Sequence, residues 1–280
     1  MRPSALPTAM LLVGTLAKSS SITCADGLYM VVARGTGEKD GSGVTGSLAE
    51  DIADRIENSI VEPLDYPAAF SDPNYMRSER DGVETMQNLI TSYHKACPDG
   101  KIAVFGYSQG GQVASDAFCG SGGIIGFSQR AALPISLVED SVVAIIVFGD
   151  PSHVAEAPYN RGTSQKNGVF PRQNITLCED NYTGIMRSYC DTGDTFCDLG
   201  DDGEVHRLYI SNYGDDIANF VVDKYDDMMR KTTATASGTA SASASASATD
   251  DSDNAAAGLA PGLALATIAP FALTILGLLL

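Results

Sequence analysis

A serine flanked by two glycines is the clearest chemical feature of the sequence. Ser108 stands in the pattern Gly106-x-Ser108-x-Gly110, directly after an apolar run at 102–105 and before a segment that favours a helix. Strand, tight turn and helix in this order are typical of a nucleophilic serine, because the strained turn lifts the hydroxyl clear of the sheet. The amide of Gln109 would then face a developing oxyanion. An ordinary glycine-rich turn is the alternative, since the chain has 28 glycines.

A nucleophilic serine needs a base, and histidine is the side chain that titrates near neutrality. The sequence has three histidines. Turns of this type use the chain order serine, acid, histidine, and that order selects His206. His94 lies in a predicted helix ahead of the serine. His153 follows a predicted strand and is the second choice, because it lies near the strand ends.

The acid that orients the histidine should lie between the serine and His206. Many carboxylates do, so position alone does not choose among them. The segment from Cys190 to Cys197 stands out because two cysteines frame a short loop that contains Asp191 and Asp194. A disulfide there would hold one carboxylate rigidly, as an orienting group requires. We favour Asp194, which follows a glycine, over Asp191.

Charge and the two ends of the chain restrict its partners and its domain organisation. The formal charge is −17, with 18 basic against 35 acidic residues, which disfavours nucleic acid and anionic lipid as partners. Residues 1–21 have the pattern of a secretory signal peptide. Residues 22–230 are predicted to form a single domain, and residues 231–254 a stalk rich in Ser, Thr and Ala that is O-glycosylated.

The last segment, 255–280, is apolar and follows small residues. This pattern predicts a glycosylphosphatidylinositol (GPI) anchor attached at Asn254, with the tail removed. A retained transmembrane helix is the alternative; two prolines in the tail and the lack of a basic residue after Leu280 disfavour it. We therefore expect a secreted protein, anchored at the cell surface or wall, that meets the membrane only through its lipid.

Strand and helix patterns alternate along the domain, which predicts an α/β fold with a parallel sheet covered on both faces. Ligands of such sheets bind at the carboxyl ends of the strands, where Ser108, Thr36 and Asp150 are expected to meet. Strands are predicted at 27–33, 59–66, 101–105, 142–148 and 184–189, and helices at 47–56, 81–96, 112–119 and 217–229.

The cysteines are even in number, and secretion would permit disulfides. Metal binding is the rival interpretation, but the Cys-x2-Cys spacing of zinc sites is missing, so we expect no metal. Two N-glycosylation acceptor triplets begin at Asn174 and Asn181. Such triplets also arise by chance.

Four motifs together resemble the cutinase and acetylxylan esterase family. They are Gly106-Tyr107-Ser108-Gln109-Gly110-Gly111, the Cys190-to-Cys197 loop with Gly193-Asp194, His206-x-x-Tyr209 and Ala33-Arg34-Gly35-Thr36. The resemblance extends from about Cys24 to Lys224. It implies a three-layer, α/β-hydrolase-like fold with a central parallel sheet, an uncovered active site and no cofactor.

The resemblance also implies roles for individual residues. Ser108 would be the nucleophile, Asp194 the orienting acid and His206 the base, while the amides of Thr36 and Gln109 would form the oxyanion hole. The family's disulfide pattern would pair Cys24 with Cys97, Cys119 with Cys178, and Cys190 with Cys197.

The sequence motifs point to more than one ester substrate. Segments 112–123 and 149–151 look more like acetylxylan esterases, whereas Arg34-Gly35-Thr36 looks more like cutinases. A cysteine pair that some acetylxylan esterases carry is missing at 66–80. We expect a monomer that removes acetyl groups from xylan or a similar plant polysaccharide. Cutin polyester is the second substrate, and an inactive surface protein that binds or adheres is the alternative from another class.

Overall fold

The structure is a computed structural model that describes residues 22–121 and 123–245. The predicted signal peptide, Asn254 and the apolar tail lie outside these residues. The strands are β1 (Leu28–Ala33), β2 (Ile60–Pro63), β3 (Lys101–Tyr107), β4 (Val142–Phe148), β5 (Asn160–Arg161) and β6 (Met186–Tyr189). The helices are α1 (Gly46–Arg55), α2 (Tyr75–Ala96), α3 (Gln109–Cys119), α4 (Ile135–Ser141), α5 (Thr176–Tyr182) and α6 (Tyr209–Ser245).

The described strands form one sheet in the order β2-β1-β3-β4-β6-β5, and every neighbouring pair is parallel. Strands β1 and β4 are continuous apolar runs, and all of their residues are buried. Strands buried on both faces have this composition because each side chain, whichever way it points, meets a covering helix.

Side chains of successive strand residues enter two separate hydrophobic cores. In β3, Ile102 and Val104 join the core that contains residues of α2, α3, α4 and α5. Ala103 and Phe105 join the opposite core, which contains residues of α1 and α6. The alternation follows from the two-residue period of a strand. The predicted three-layer fold with a central parallel sheet is confirmed.

Several predicted boundaries shift in the structure. Helix α2 begins at Tyr75 rather than 81, and Asn74 caps it by accepting a hydrogen bond from the Arg77 amide (3.0 Å). Helix α6 begins at Tyr209 rather than 217. The short elements α4, α5 and β5 were not predicted, because two to seven residues carry too little periodicity to be recognised.

Helix α6 also continues to Ser245, into the segment predicted as a stalk. The chain divides into two units, with the boundary between Ala234 and Thr235. Residues 231–233 are exposed, and alanine, which is frequent in this segment, is the best helix former. Among the helices that the structure describes, none combines the length and apolar character needed to cross a bilayer. The stalk itself stays a prediction.

Close contact between α2 and α3 depends on Gly82. A Cβ at this position would lie 2.7 Å from the Tyr66 ring and 2.8 Å from Cγ2 of Val113. Both neighbours are buried, so neither can move aside easily. Helix α3 follows Ser108 directly, and this packing therefore supports the turn that carries the serine.

Gly82→Ala should destabilise the protein although alanine favours helices. Overpacking two rigid side chains costs about 1–3 kcal/mol, which exceeds the gain of about 1 kcal/mol in helix propensity. We expect a Tm lower by about 3 °C. Gly214→Ala in α6 is the matched control, since its nearest neighbour, Cγ2 of Ile210, is 3.9 Å away. It should raise the Tm, and equal shifts in both variants would contradict the packing argument.

Candidate active site

A cleft of about 730 Å³ lies at the carboxyl ends of the central strands. Ser108 follows β3, Thr36 follows β1 and Pro151 follows β4, and all three line the cleft. His206 reaches the same cleft from the turn that precedes α6. Parallel strands therefore bring together residues that are far apart in the sequence.

The turn at Ser108 has the strained geometry that the sequence pattern predicts. Ser108 has φ 56° and ψ −117°, and its amide donates to the carbonyl of Phe148 (2.9 Å). A Cβ at Gly106 would lie 2.2 Å from the Gly110 carbonyl oxygen, and one at Gly110 would lie 2.1 Å from the carbonyl oxygen of Ala33. Only glycine fits at both positions.

Asp194 and His206 are in direct contact. Nδ1 of His206 lies 2.8 Å from Oδ2 of Asp194, and both side chains are buried. The other carboxylate oxygen, Oδ1, accepts hydrogen bonds from the amides of Phe196 (2.7 Å) and Cys197 (3.0 Å). The loop that carries Asp194 thus holds the carboxylate in one orientation towards the imidazole.

The environment of Asp194 favours its ionised form. Burial alone raises the pKa of the carboxyl, but hydrogen bonds from His206, Tyr209 and the Cys197 amide outweigh burial and hold the pKa below its ordinary value. An ionised acceptor fixes Nδ1 as the protonated ring nitrogen. The other nitrogen, Nε2, can then accept a proton.

Nε2 of His206 is buried and has no hydrogen-bond partner among the described residues. The ring lies against the rings of Tyr107 (5.0 Å between centroids) and Phe196 (4.7 Å). In addition, the Tyr107 hydroxyl donates to the main-chain carbonyl of His206 (3.0 Å). These contacts fix the ring at the cleft wall with one nitrogen uncommitted.

Asp191, the other carboxylate of the loop, is occupied elsewhere. Its Oδ1 accepts hydrogen bonds from the Thr163 amide (3.0 Å), the Thr163 hydroxyl (3.0 Å) and the Tyr213 hydroxyl (2.7 Å). The two carboxylates therefore have different hydrogen-bond partners, although they lie close together in the sequence.

The sequence also placed Asp150 near the strand ends and offered His94 and His153 as other histidines. These three side chains contact other residues. Asp150 is buried and accepts hydrogen bonds from the hydroxyls of Ser115 (2.5 Å) and Ser152 (2.7 Å). His94 contacts Ser141 (2.5 Å). His153 is buried, and burial lowers its pKa, which disfavours a charged imidazolium there.

Thr36 and Gln109 stay the predicted donors of the oxyanion hole. Thr36 lines the cleft. On either side of it, the Gly35 amide donates to Oε2 of Glu38 (2.6 Å) and the Gly37 amide donates to the Ala68 carbonyl (2.7 Å). Gln109 is the first residue of α3, immediately after the serine. Both backbones are therefore held in fixed positions.

The three disulfides pair Cys24 with Cys97, Cys119 with Cys178, and Cys190 with Cys197. This is the pairing that the resemblance implied. Asn174 and Asn181 are both exposed, and whether they carry glycans stays a prediction. Within the described part of the chain, no three His, Cys, Asp or Glu side chains cluster as metal ligands would.

Tyr209 is a contact of the site whose role the sequence did not reveal. Its hydroxyl donates to Oδ2 of Asp194 (2.6 Å), the same oxygen that faces His206, and it accepts a hydrogen bond from the Asp191 amide (3.1 Å). The His206-x-x-Tyr209 spacing was the available signal, since three residues are close to one helical turn.

A strained serine between a parallel strand and a helix defines an α/β-hydrolase-like protein, and comparisons with known proteins agree. The cutinase family model matches residues 24–225. The chain belongs to the cutinase family. Its named relatives are carboxylic ester hydrolases, which places this chain in that class of enzymes.

The relatives include both cutinases and acetylxylan esterases. Cutinase 11 of Verticillium dahliae is 30% identical over 203 residues, covering 70% of this chain and 68% of that protein. An acetylxylan esterase of Hypocrea jecorina is 28% identical over 200 residues, covering 69% of this chain and 66% of that protein. The chain thus spans about two thirds of each relative's length.

A solved structure shares the fold. The catalytic core domain of acetyl xylan esterase from Trichoderma reesei is 28% identical, with a TM-score of 0.66. The match covers 72% of this chain and 100% of that domain.

Tyr209→Phe should change the pH dependence of ester hydrolysis. The Tyr209 hydroxyl is one of the donors that hold the pKa of the Asp194 carboxyl below its ordinary value. Without this donor the pKa of Asp194 rises, so the carboxylate that orients His206 takes up a proton at a higher pH. We expect the pH at which kcat/KM falls on the acid side of the profile to increase by about half a unit. We also expect kcat to be lower by about threefold to tenfold.

Tyr213→Phe is the matched control for this prediction. Its ring lies near that of Tyr209 (6.4 Å between centroids), but its hydroxyl donates to Asp191. Arg207, a charged residue that lines the same cleft as His206, is unchanged in both variants. A profile that shifts equally in both, or in neither, would contradict a direct effect of Tyr209 on Asp194 and His206.

Proposed function

We propose that the protein is a secreted serine esterase that uses Ser108, His206 and Asp194 as a catalytic triad. The contact between His206 and Asp194 at 2.8 Å is the observation that carries this proposal. It leaves Nε2 of the imidazole at the wall of the cleft that Ser108 also lines. The expected substrates are short-chain esters, above all acetyl groups on xylan or a similar plant cell-wall polysaccharide.

In the first half of the proposed reaction, Oγ of Ser108 attacks the ester carbonyl while Nε2 of His206 takes its proton. The carbonyl oxygen gains negative charge, which the amides of Thr36 and Gln109 stabilise. Each such donor contributes about 3 kcal/mol to the lowering of the barrier. His206 then gives its proton to the leaving alcohol, and the acyl group stays on Ser108.

In the second half, His206 removes a proton from water, and the resulting nucleophile attacks the acyl-enzyme. Collapse of the tetrahedral intermediate releases the acid and returns the proton to Ser108. Asp194 stays ionised in both halves. It orients the ring and stabilises the imidazolium, in keeping with its lowered pKa.

Cutin-type polyester is the second candidate substrate, and the composition of the cleft favours it. Four apolar side chains line the cleft and are at least a third exposed: Val44 (50%), Phe70 (74%), Phe170 (36%) and Phe196 (42%). A cleft of this size accommodates an acyl chain longer than acetyl. Its apolar walls would contribute to binding through the hydrophobic effect.

Ser108→Ala tests the enzyme assignment. Hydrolysis of p-nitrophenyl acetate should fall by about 10³-fold or more, because removal of a catalytic serine abolishes the covalent route. Ser211→Ala, which removes an exposed serine hydroxyl, should keep full activity. Retained hydrolysis in Ser108→Ala would contradict Ser108 as the nucleophile. No hydrolysis by the unaltered protein would instead favour a surface protein that only binds or adheres. Comparing kcat/KM for acetate, butyrate and octanoate esters distinguishes the substrates: a decrease with length supports acetyl esters, and an increase supports polyester.

We also propose that the protein is secreted, N-glycosylated at Asn174 and Asn181, and held at the surface by a GPI anchor at Asn254. Phosphatidylinositol-specific phospholipase C should release the full-length protein from membranes of expressing cells, since it cuts the lipid and leaves the polypeptide intact. An Asn254→Gln variant, in which the proposed attachment residue is lost, should reach the membrane fraction less efficiently. Retention of the unaltered protein after lipase treatment would contradict the anchor.

A further inference from the structure

The two proposed oxyanion donors belong to different loops, one after β1 and one after β3. Their relative position must be held to a fraction of an ångström for both amides to reach one oxygen. The side chain of Gln109 does not face the cleft: it is fully buried, and both of its polar atoms are used inside the protein.

The backbone between Leu64 and Ala69, here called the 64–69 segment, lies between the two loops. On one side, Arg34 donates to the carbonyls of Leu64 (3.3 Å) and Tyr66 (2.8 Å), and the Tyr66 hydroxyl donates to the Arg34 carbonyl (2.5 Å). The Ala68 carbonyl accepts from the amide of Gly37, the neighbour of Thr36. The segment is therefore bound to the loop of the first donor.

On the other side, the same segment is bound to Gln109. Nε2 of Gln109 donates to the Ala69 carbonyl (3.0 Å). Oγ of Ser78 accepts a hydrogen bond from the Ala69 amide (2.9 Å) and donates to Oε1 of Gln109 (2.8 Å). Both polar groups of the Ala69 backbone are thus used, and Ser78 closes a ring of three hydrogen bonds.

Ser78 lies in α2 and is fully buried. Its hydroxyl makes both bonds at once, as donor to a side chain and as acceptor from a backbone amide. A buried hydroxyl costs free energy unless it is paired, so its contacts account for its presence.

We propose that Ser78 is a positioning residue for the oxyanion hole. Through Ala69 and Gln109, its hydroxyl sets the distance between the Gln109 amide and the loop that carries Thr36. Ser78 does not touch the substrate. It acts through the 64–69 segment and α3, and its effect falls on the stage of the reaction at which the carbonyl oxygen becomes negative.

This inference rests on the proposed function, because it needs the amides of Thr36 and Gln109 to stabilise an oxyanion. Ser78→Ala should lower kcat for p-nitrophenyl acetate by about tenfold and leave KM within about twofold. Complete removal of one oxyanion donor costs about 10²- to 10³-fold, and a displaced donor should lose part of that. Inhibition by phenylboronic acid, which forms a tetrahedral adduct with a nucleophilic serine, should weaken by the same factor as kcat/KM.

Thr85→Ala is the matched control. It removes a hydroxyl from the same helix, where Thr85 donates to the Asp81 carbonyl (2.8 Å). This variant should keep kcat, KM and boronic acid inhibition unchanged. If Ser78→Ala lowers only the Tm, with kcat and inhibition as in the unaltered protein, Ser78 is merely structural and the proposal is overturned.

Gln109→Met provides a second, independent variant. It keeps the backbone amide but loses both side-chain hydrogen bonds, and it should reproduce the kcat loss even if Ser78→Ala does not fold. The double variant should lose no more than the larger single effect, because both changes break one network. Additive losses would overturn the proposal.

The same variants distinguish failure of the proposed function from failure of this inference. If Ser108→Ala retains activity, the proposed function fails. If Ser108→Ala is inactive while Ser78→Ala and Gln109→Met keep kcat, only the positioning role of Ser78 fails.

Discussion

The left-handed backbone at Ser108 is the constraint on which the site depends. A non-glycine residue in this conformation costs on the order of 1–3 kcal/mol, and it persists only where the surrounding structure determines it. Here it lies between β3, in which every residue except Tyr107 is buried, and α3, in which every residue is buried. Packing on both sides leaves the chain no room to relax. The strain directs the hydroxyl towards the cleft and places the next amide beside it.

The rest of the site is built around that fixed serine by groups that do not react. The Asp194 carboxylate accepts four hydrogen bonds, two from its own loop and two from His206 and Tyr209. This number of donors overcomes the cost of burying a charge. A buried carboxylate with fewer donors would tend to take up a proton, and it would then orient the histidine less well.

Two loops at the cleft are held rigidly, each in a different way. The disulfide between Cys190 and Cys197 closes a small loop, which holds Asp194 by covalent geometry. The loop with Thr36 is held instead by hydrogen bonds to the 64–69 segment. The cleft between them is open to solvent and rimmed by apolar side chains such as Phe70. A rigidly held Asp194–His206 pair and an apolar entrance are compatible with an enzyme that hydrolyses carboxylic esters.

The sequence by itself indicated the proposed reacting groups and determined the class of fold. The glycines around Ser108 and the chain order that selects His206 are local signals, and buried parallel strands such as β4 are continuous apolar runs. Contacts between distant residues were decided only in the tertiary structure. Asp194 and Asp191 differ because Tyr209 and Tyr213 reach them from another helix. Ser78 and Gln109 meet because α2 packs against α3, and a sequence records neither distance. Local pattern reports the conformation of neighbouring residues, whereas the partners of a buried hydroxyl or carboxylate depend on how whole elements pack.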